Sequence, residues 1–254
     1  MFDIGLSNYN QVLTVGNRNN GLPKLLGFIL NEQEQEILME NAGPSLYLWQ
    51  DAILSEEDRM RFAIEMLKQV LKALHTIHRL GYAHSDIKLE NICARVQEDG
   101  SLRFTLIDFG VSCKLRYSKD KNTLKRFRGN LQTATPQHIA RKRPDQVDEL
   151  KSLLNAAFLF VKNSLPWFDD PESSNDSKIE NFKVQFAKFR WKHRDKHEKQ
   201  LKNQCKEFAN LYEYLDKVHL YYASSQQADA NRRSENRFND MIDYDYLKLL
   251  LPNT

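Results

Sequence analysis

The chain has 254 residues, with 37 Lys plus Arg against 34 Asp plus Glu and a net charge of +3, so it is long enough for one large domain or two lobes and its charge gives no sign of nucleic-acid binding. Its longest apolar run, Leu153–Val161, is broken by Asn155 and falls short of the ~20 residues of a membrane span, and Met1-Phe2-Asp3 does not open a signal peptide. Cys93, Cys113 and Cys205 lack metal-ligand spacing and favour a reducing compartment, so the expectation is an intracellular protein, cytoplasmic or nuclear or both, that binds no membrane.

Taken in chain order, the apolar runs Leu25–Leu30 and Ile37–Met39, separated by polar Asn31–Glu36, predict a hairpin. Asn41–Leu46, with Gly43-Pro44 inside it, reads as a connector. Ser55 followed by Asp58 resembles a capping box. Apolar residues at 60, 63, 64, 67, 70, 71, 74 and 77 then form a stripe at helical period, ending at Gly81. Two β-prone runs, Ile92–Val96 and Leu102–Ile107, flank Glu98-Asp99-Gly100 and predict a second hairpin. A buried helix is expected over Asp148–Val161, charged helices over Phe182–Leu215, and a mobile loop over 224–239, where apolar residues are nearly absent.

The chemistry concentrates in His84-Ser85-Asp86-Ile87-Lys88-Leu89-Glu90-Asn91 and in Asp108-Phe109-Gly110. A carboxylate, a Lys two residues on, an Asn five residues on and a second carboxylate beside a glycine supply what phosphoryl transfer needs: an orienter for the attacking hydroxyl, a cation near the moving phosphate, and oxygen ligands for Mg²⁺. The predicted hairpin carries Asn91 at one end and Asp108 at the other, which would bring these two together. The run resembles the protein-kinase catalytic loop H-R-D-x-K-x-x-N followed by D-F-G. That resemblance implies Asp86 as catalytic base, Lys88 as the cation on the transferring phosphate, Asn91 and Asp108 as Mg²⁺ ligands, and Asn91, Asp108 and Gly110 around ATP. His84 is expected to pack beneath the loop.

Small-molecule kinases of the aminoglycoside type also use H-x-D-x-x-x-x-N, but Lys88 stands where that class carries His, and a long segment from Val111 to Gln137 follows the D-F-G. His193-Arg194-Asp195 repeats H-R-D without a Lys or Asn at the required spacing, and reads as part of a solvated basic helix. Lys114, Arg116, Lys119, Lys121, Lys125, Arg126 and Arg128 crowd the long segment, which points to an acidic or pre-phosphorylated protein substrate or to a solvated surface.

From residue 22 onward the chain is similar to the casein kinase I family of Ser/Thr protein kinases. Met39–Leu46 resembles the hinge M-x-x-x-G-P-S-L; Glu149–Leu153 with Ser164–Trp167 resembles D-L-E-S-L…S-L-P-W; Asp243–Leu247 resembles D-Y-x-Y-L. The resemblance implies an α+β, two-lobed kinase-like domain over 1–254. A truncated β-rich N-lobe and hinge would occupy 1–46 and a mainly helical C-lobe 47–254. Ser85 replaces an Arg, Asn130 a Thr, Gln137 the Glu of A-P-E, Glu149 the helix Asp that braces the loop, and Leu154 a Gly. These departures put the loop's rigidity and substrate docking in question. No G-x-G-x-x-G and no V-A-I-K-like strand is present, and Asn8–Leu13 resembles the end of the helix that normally supplies a Glu. The expectation is an N-terminally incomplete kinase using ATP and Mg²⁺, weakly active or inactive as this chain alone. The competing expectation is a non-catalytic, kinase-like binding module.

Overall fold

The computed structural model describes residues 20–30, 35–53, 55–115, 127–141, 143–170, 182–228 and 242–252. The expected helix end at Asn8–Leu13 and the basic residues from Arg116 to Arg126 lie outside them.

Strands β1 (Leu25–Leu30) and β2 (Gln35–Met39) pair antiparallel, with Leu30 opposite Gln35. Among the described residues this hairpin forms a sheet of two strands only, and Leu26, Ile29 and Leu38 are each more than half exposed. The connector follows. Gly43 has φ +88°, and a Cβ there would lie 2.5 Å from the Ala94 carbonyl oxygen, so only glycine lets the connector close onto the next hairpin.

Helix α1 (Leu46–Ala52) leads into α2 (Glu56–Arg79), whose first turn is capped by Ser55 accepting from the Asp58 N–H at 3.0 Å. Asp58 answers through the Ser55 hydroxyl at 2.6 Å, in place of the backbone N–H of a full capping box. The stripe predicted for α2 is buried from Ala63 to Ile77, with Met60 partly covered. Strands β3 (Tyr82–Ala83) and β6 (Cys113–Lys114) form a short antiparallel pair, and β4 (Ile92–Val96) and β5 (Leu102–Leu106) form the second predicted hairpin.

Helix α3 (Pro136–Arg141) precedes α4 (Gln146–Lys162), which begins two residues before the expected start. Asp145 and Asp148 close a reciprocal capping box there, at 2.9 and 3.2 Å. Leu150, Leu153, Leu154, Ala156, Ala157, Phe158, Phe160 and Val161 are all buried, so α4 is covered nearly all round and forms the centre of the helical body. Phe160 stacks on Phe62 of α2, and Phe62 meets Phe104 of β5 edge-on at 4.9 Å, joining helix, helix and hairpin in one core. Helices α5 (Phe182–Lys192), α6 (Arg194–Gln204) and α7 (Lys206–Ala228) follow, then α8 (Tyr244–Leu249).

Helix α7 continues through Ala228, so residues 224–228 of the expected loop are helical; Gln226, Gln227 and Ala228 are sound helix formers. Residues 229–239 lie outside the description. The 193–204 stretch corrects the reading of a wholly solvated helix. Lys192, Lys196 and Lys199 are exposed, but His197 is buried beside Trp167 and Phe189. Among the described residues no helix is long and apolar enough to cross a membrane.

Candidate active site

Residues 84–91 hang between β3 and β4, and residues 108–110 between β5 and β6, so the two segments emerge side by side from one end of paired strands. Three ties fix their approach. The Ile107 N–H donates to the Asn91 carbonyl at 2.8 Å, the Leu115 N–H to the Gly81 carbonyl at 2.8 Å, and His84 Nε2 to the Ile107 carbonyl at 2.9 Å. The tautomer of His84 follows from its other bond: the Asp86 N–H donates to Nδ1 at 3.2 Å, so the proton resides on Nε2. His84 is fully buried and meets Phe109 edge-on at 5.0 Å, as a packing residue beneath the loop should.

Asp86, Lys88 and Asn91 form a closed cluster. Lys88 Nζ donates to Asp86 Oδ2 at 2.7 Å, and Asn91 Nδ2 donates to the same oxygen at 3.0 Å and to the Asp86 carbonyl at 2.9 Å. Burial pulls the Lys88 pKa down, but the hydrogen bond and charge of Asp86, then Glu90 and Asp108, outweigh it, so the ammonium is held above its ordinary value. The Lys88 and Asp86 side chains keep 25% and 13% exposure, which leaves both within reach of a ligand. With Nδ2 committed, Asn91 has Oδ1 left as the atom that could ligate a metal.

Asp108 adopts φ +64°, a left-handed turn that aspartate tolerates, and one of its carboxylate oxygens accepts the Gly110 N–H at 3.1 Å. The side chain thereby stands exposed beside Gly110. An amide oxygen and a carboxylate are the hard oxygen donors that suit Mg²⁺, so the residues present fit that ion. Among the described residues no group of three His, Cys, Asp or Glu could hold a metal ion, His193 and His197 included.

The brace beneath the loop overturns one expectation. Glu149 does not loosen it. Its Oε2 accepts the His84 N–H and its Oε1 the Ser85 N–H, each at 2.7 Å, and Oε2 also meets His78 Nε2 at 3.2 Å. Burial alone would push this carboxyl up, but His78, His84 and the Ser85 N–H hold it below the usual carboxylate range. Two charge-assisted bonds pin Ser85 at φ +72°, a conformation a serine adopts only under constraint. His78 in turn accepts from the Tyr244 hydroxyl of α8 through Nδ1, so a polar chain runs from the C-terminal helix to the loop. Sequence reading did not single out His78, although it extends the buried stripe at 74 and 77 by one helical neighbour.

The 130–137 segment is also fastened differently from the pattern it departs from. Asn130 turns its oxygen onto its own turn, accepting from Gln132 and Thr133 N–H at 2.7 and 3.2 Å. Thr133 makes the connection to the loop instead, donating to the Ile87 carbonyl, while Asn155 donates to the Thr133 carbonyl at 2.7 Å. Gly129 passes so close that a Cβ would lie 2.1 Å from the Ser85 carbonyl oxygen, at φ +131°. Of the basic cluster, only Lys114 and Arg128 are described, and both are exposed.

Comparison with known proteins agrees with this arrangement. The human hormonally up-regulated neu tumor-associated kinase is 28% identical over 162 residues, which are 61% of this chain and 21% of that protein. The human NUAK family SNF1-like kinase 1 is 31% identical over 150 residues, 57% of this chain and 21% of that protein. The Caenorhabditis elegans serine/threonine-protein kinase spe-6 is 24% identical over 168 residues, 65% of this chain and 44% of that protein. The chain thus spans less than half the length of these curated relatives. Vaccinia related kinase 3 shares the fold, with a TM-score of 0.55 at 18% identity, over 77% of this chain and 59% of that structure. The protein kinase domain family matches residues 16–217, four-fifths of the chain, and the chain belongs to that family.

Proposed function

We propose that this domain belongs to a Ser/Thr protein kinase of casein kinase I type, which transfers the γ-phosphate of ATP to hydroxyls of an acidic or pre-phosphorylated protein. The observation that carries the reading is the closed Asp86–Lys88–Asn91 cluster at the end of the β4–β5 hairpin from which Asp108 follows, where the Ile107 N–H bonds the Asn91 carbonyl. Asp86 accepts the hydroxyl proton of the substrate through the carboxylate that Lys88 and Asn91 orient. Lys88 stays cationic and offsets charge growing on the transferring phosphate. Asn91 Oδ1 and the Asp108 carboxylate would hold Mg²⁺, which would supply positive charge to the nucleotide's phosphates, with the Gly110 backbone beside them. Lys114 and Arg128 add positive charge beside the site, which favours an acidic substrate. The domain divides at the hinge into 1–46 and 47–254.

The test is transfer of labelled γ-phosphate to an acidic protein such as casein in the presence of Mg²⁺, with Asp108→Ala alongside. Incorporation that falls by more than about 100-fold in the variant supports the assignment. Equal incorporation by the variant rejects it. Calorimetric titration with Mg·ATP addresses the non-catalytic module: tight binding counts against it, and no detectable heat supports it.

A further inference from the structure

Arg190 sits on α5, within a stretch of sequence crowded with lysines, yet it is only 2% exposed. Its guanidinium lies 3.6 Å over the Trp167 ring, and Nη1 donates to the carbonyls of Leu131 and Gln132 at 2.8 and 3.1 Å. Its Nε–H is buried with no hydrogen-bond partner. Among the described residues no carboxylate pairs with it, because each nearby acid is engaged by another cation. Glu198 meets Lys151 at 3.1 Å, Asp216 meets Lys151 and Lys202 at 2.6 Å each, and Asp170 meets Lys196 at 2.7 Å and His197 at 3.0 Å. Burial brings the Arg190 pKa down to about 9, with Tyr212 and Glu198 opposing it. Buried charges are ordinarily matched by a counter-charge, and this one has cation–π and carbonyl contacts alone.

Beside it lies a cavity of about 20 Å³, lined by Arg190, Trp167, His197, Asn155 and Thr135 among others. That volume has room for a body the size of a water or a halide. Two of the lining residues present buried atoms that can only donate and have no partner, Arg190 Nε and Trp167 Nε1. His197 also lines the cavity, with its Nε2–H donated to Asp170 at 3.0 Å. A water could bond to the Arg190 and Trp167 donors but would bring no negative charge to the guanidinium; a small anion does both.

We propose that this cavity is a binding site for one halide-sized monovalent anion, such as chloride, held by the Nε–H of Arg190 and the Nε1–H of Trp167. The anion sits directly under the segment that Arg190 grips at Leu131 and Gln132, whose next residue, Thr133, bonds the 84–91 loop. Filling the site therefore stiffens the surface beside Asp86. The site does not require that the chain transfer phosphate.

Two measurements on the full chain test it. Crystals soaked in sodium bromide should show an anomalous peak in the cavity; ordered density there without an anomalous signal is a water and overturns the proposal. In solution, chloride against gluconate at equal ionic strength should raise the melting temperature by about 2–4 °C at saturation. Trp167→Phe, which keeps the stacking surface and removes the N–H, should reduce that rise at least by half. No chloride-dependent rise in the unaltered chain overturns the proposal, as does an undiminished rise in both Trp167→Phe and Arg190→Met, which marks an adventitious ion elsewhere.

Discussion

Replacing Glu149 with Ala removes three buried interactions at once. The His84 and Ser85 N–H groups lose their acceptor inside the protein, and His78 loses the partner of its Nε2. Removing one partner of a buried, charge-assisted cluster of this kind costs about 3–5 kcal/mol, and that is the loss expected of the variant. That is a large part of the ~5–15 kcal/mol typical of a folded domain. Ser85, no longer pinned at φ +72°, should relax towards an ordinary backbone conformation and carry Asp86 with it. Glu149→Gln keeps one acceptor oxygen in the same volume and should lose less, about 1–3 kcal/mol. Urea denaturation followed by tryptophan fluorescence measures both losses. The acid limb adds an independent readout. Because the folded Glu149 pKa lies below its unfolded value, its contribution is present above about pH 4.3 and is lost as pH falls through the lower folded value. The Gln variant should flatten that limb. A loss under about 1 kcal/mol in Glu149→Ala, with an unchanged acid limb in Glu149→Gln, would refute the brace.

Gly129→Ala should destabilise the fold by about 1–3 kcal/mol, since its Cβ would collide with the Ser85 carbonyl; limited proteolysis should then find residues 127–137 opened. Tyr244→Phe keeps the ring stacked on His75 and removes only the bond to His78, for an expected loss of about 1–2 kcal/mol in a denaturant melt. His197 and His75 have pKa values lowered chiefly by burial, with Asp170 opposing in the first case. Stability should therefore be full above about pH 6.5 and decline below it, and Gln at either position should remove part of that slope in pH-dependent melts.

The phosphate-handling residues were legible because their chemistry demands fixed spacing along one stretch of chain, and the hairpin that joins Asn91 to Asp108 announced itself through Asp99-Gly100. The hairpin at 25–39 and the stripe of α2 were equally plain, since two apolar runs around a polar turn and a period of 3.6 survive in the residue pattern. Contacts across long separations left no such trace. Glu149 and the His84 N–H are 65 positions apart. Arg190 was hidden by its neighbours, because Lys188 and Lys192 on the same helix are exposed while its own face turns inward over Trp167. The strand pair β3–β6 is two residues long on each side, too short for any alternation to register.

The β1–β2 hairpin has a consequence for handling the protein. A two-stranded ribbon is marginal in water, and among the described residues no third strand pairs with this one, whose Leu26, Ile29 and Leu38 are 52–58% exposed. Its amides should exchange with deuterated solvent sooner than those of α2 or α4. At high concentration, edge-to-edge pairing through this ribbon is the route by which the domain would self-associate. A lysine at position 29 should then raise the concentration at which solutions turn cloudy without altering the helical body.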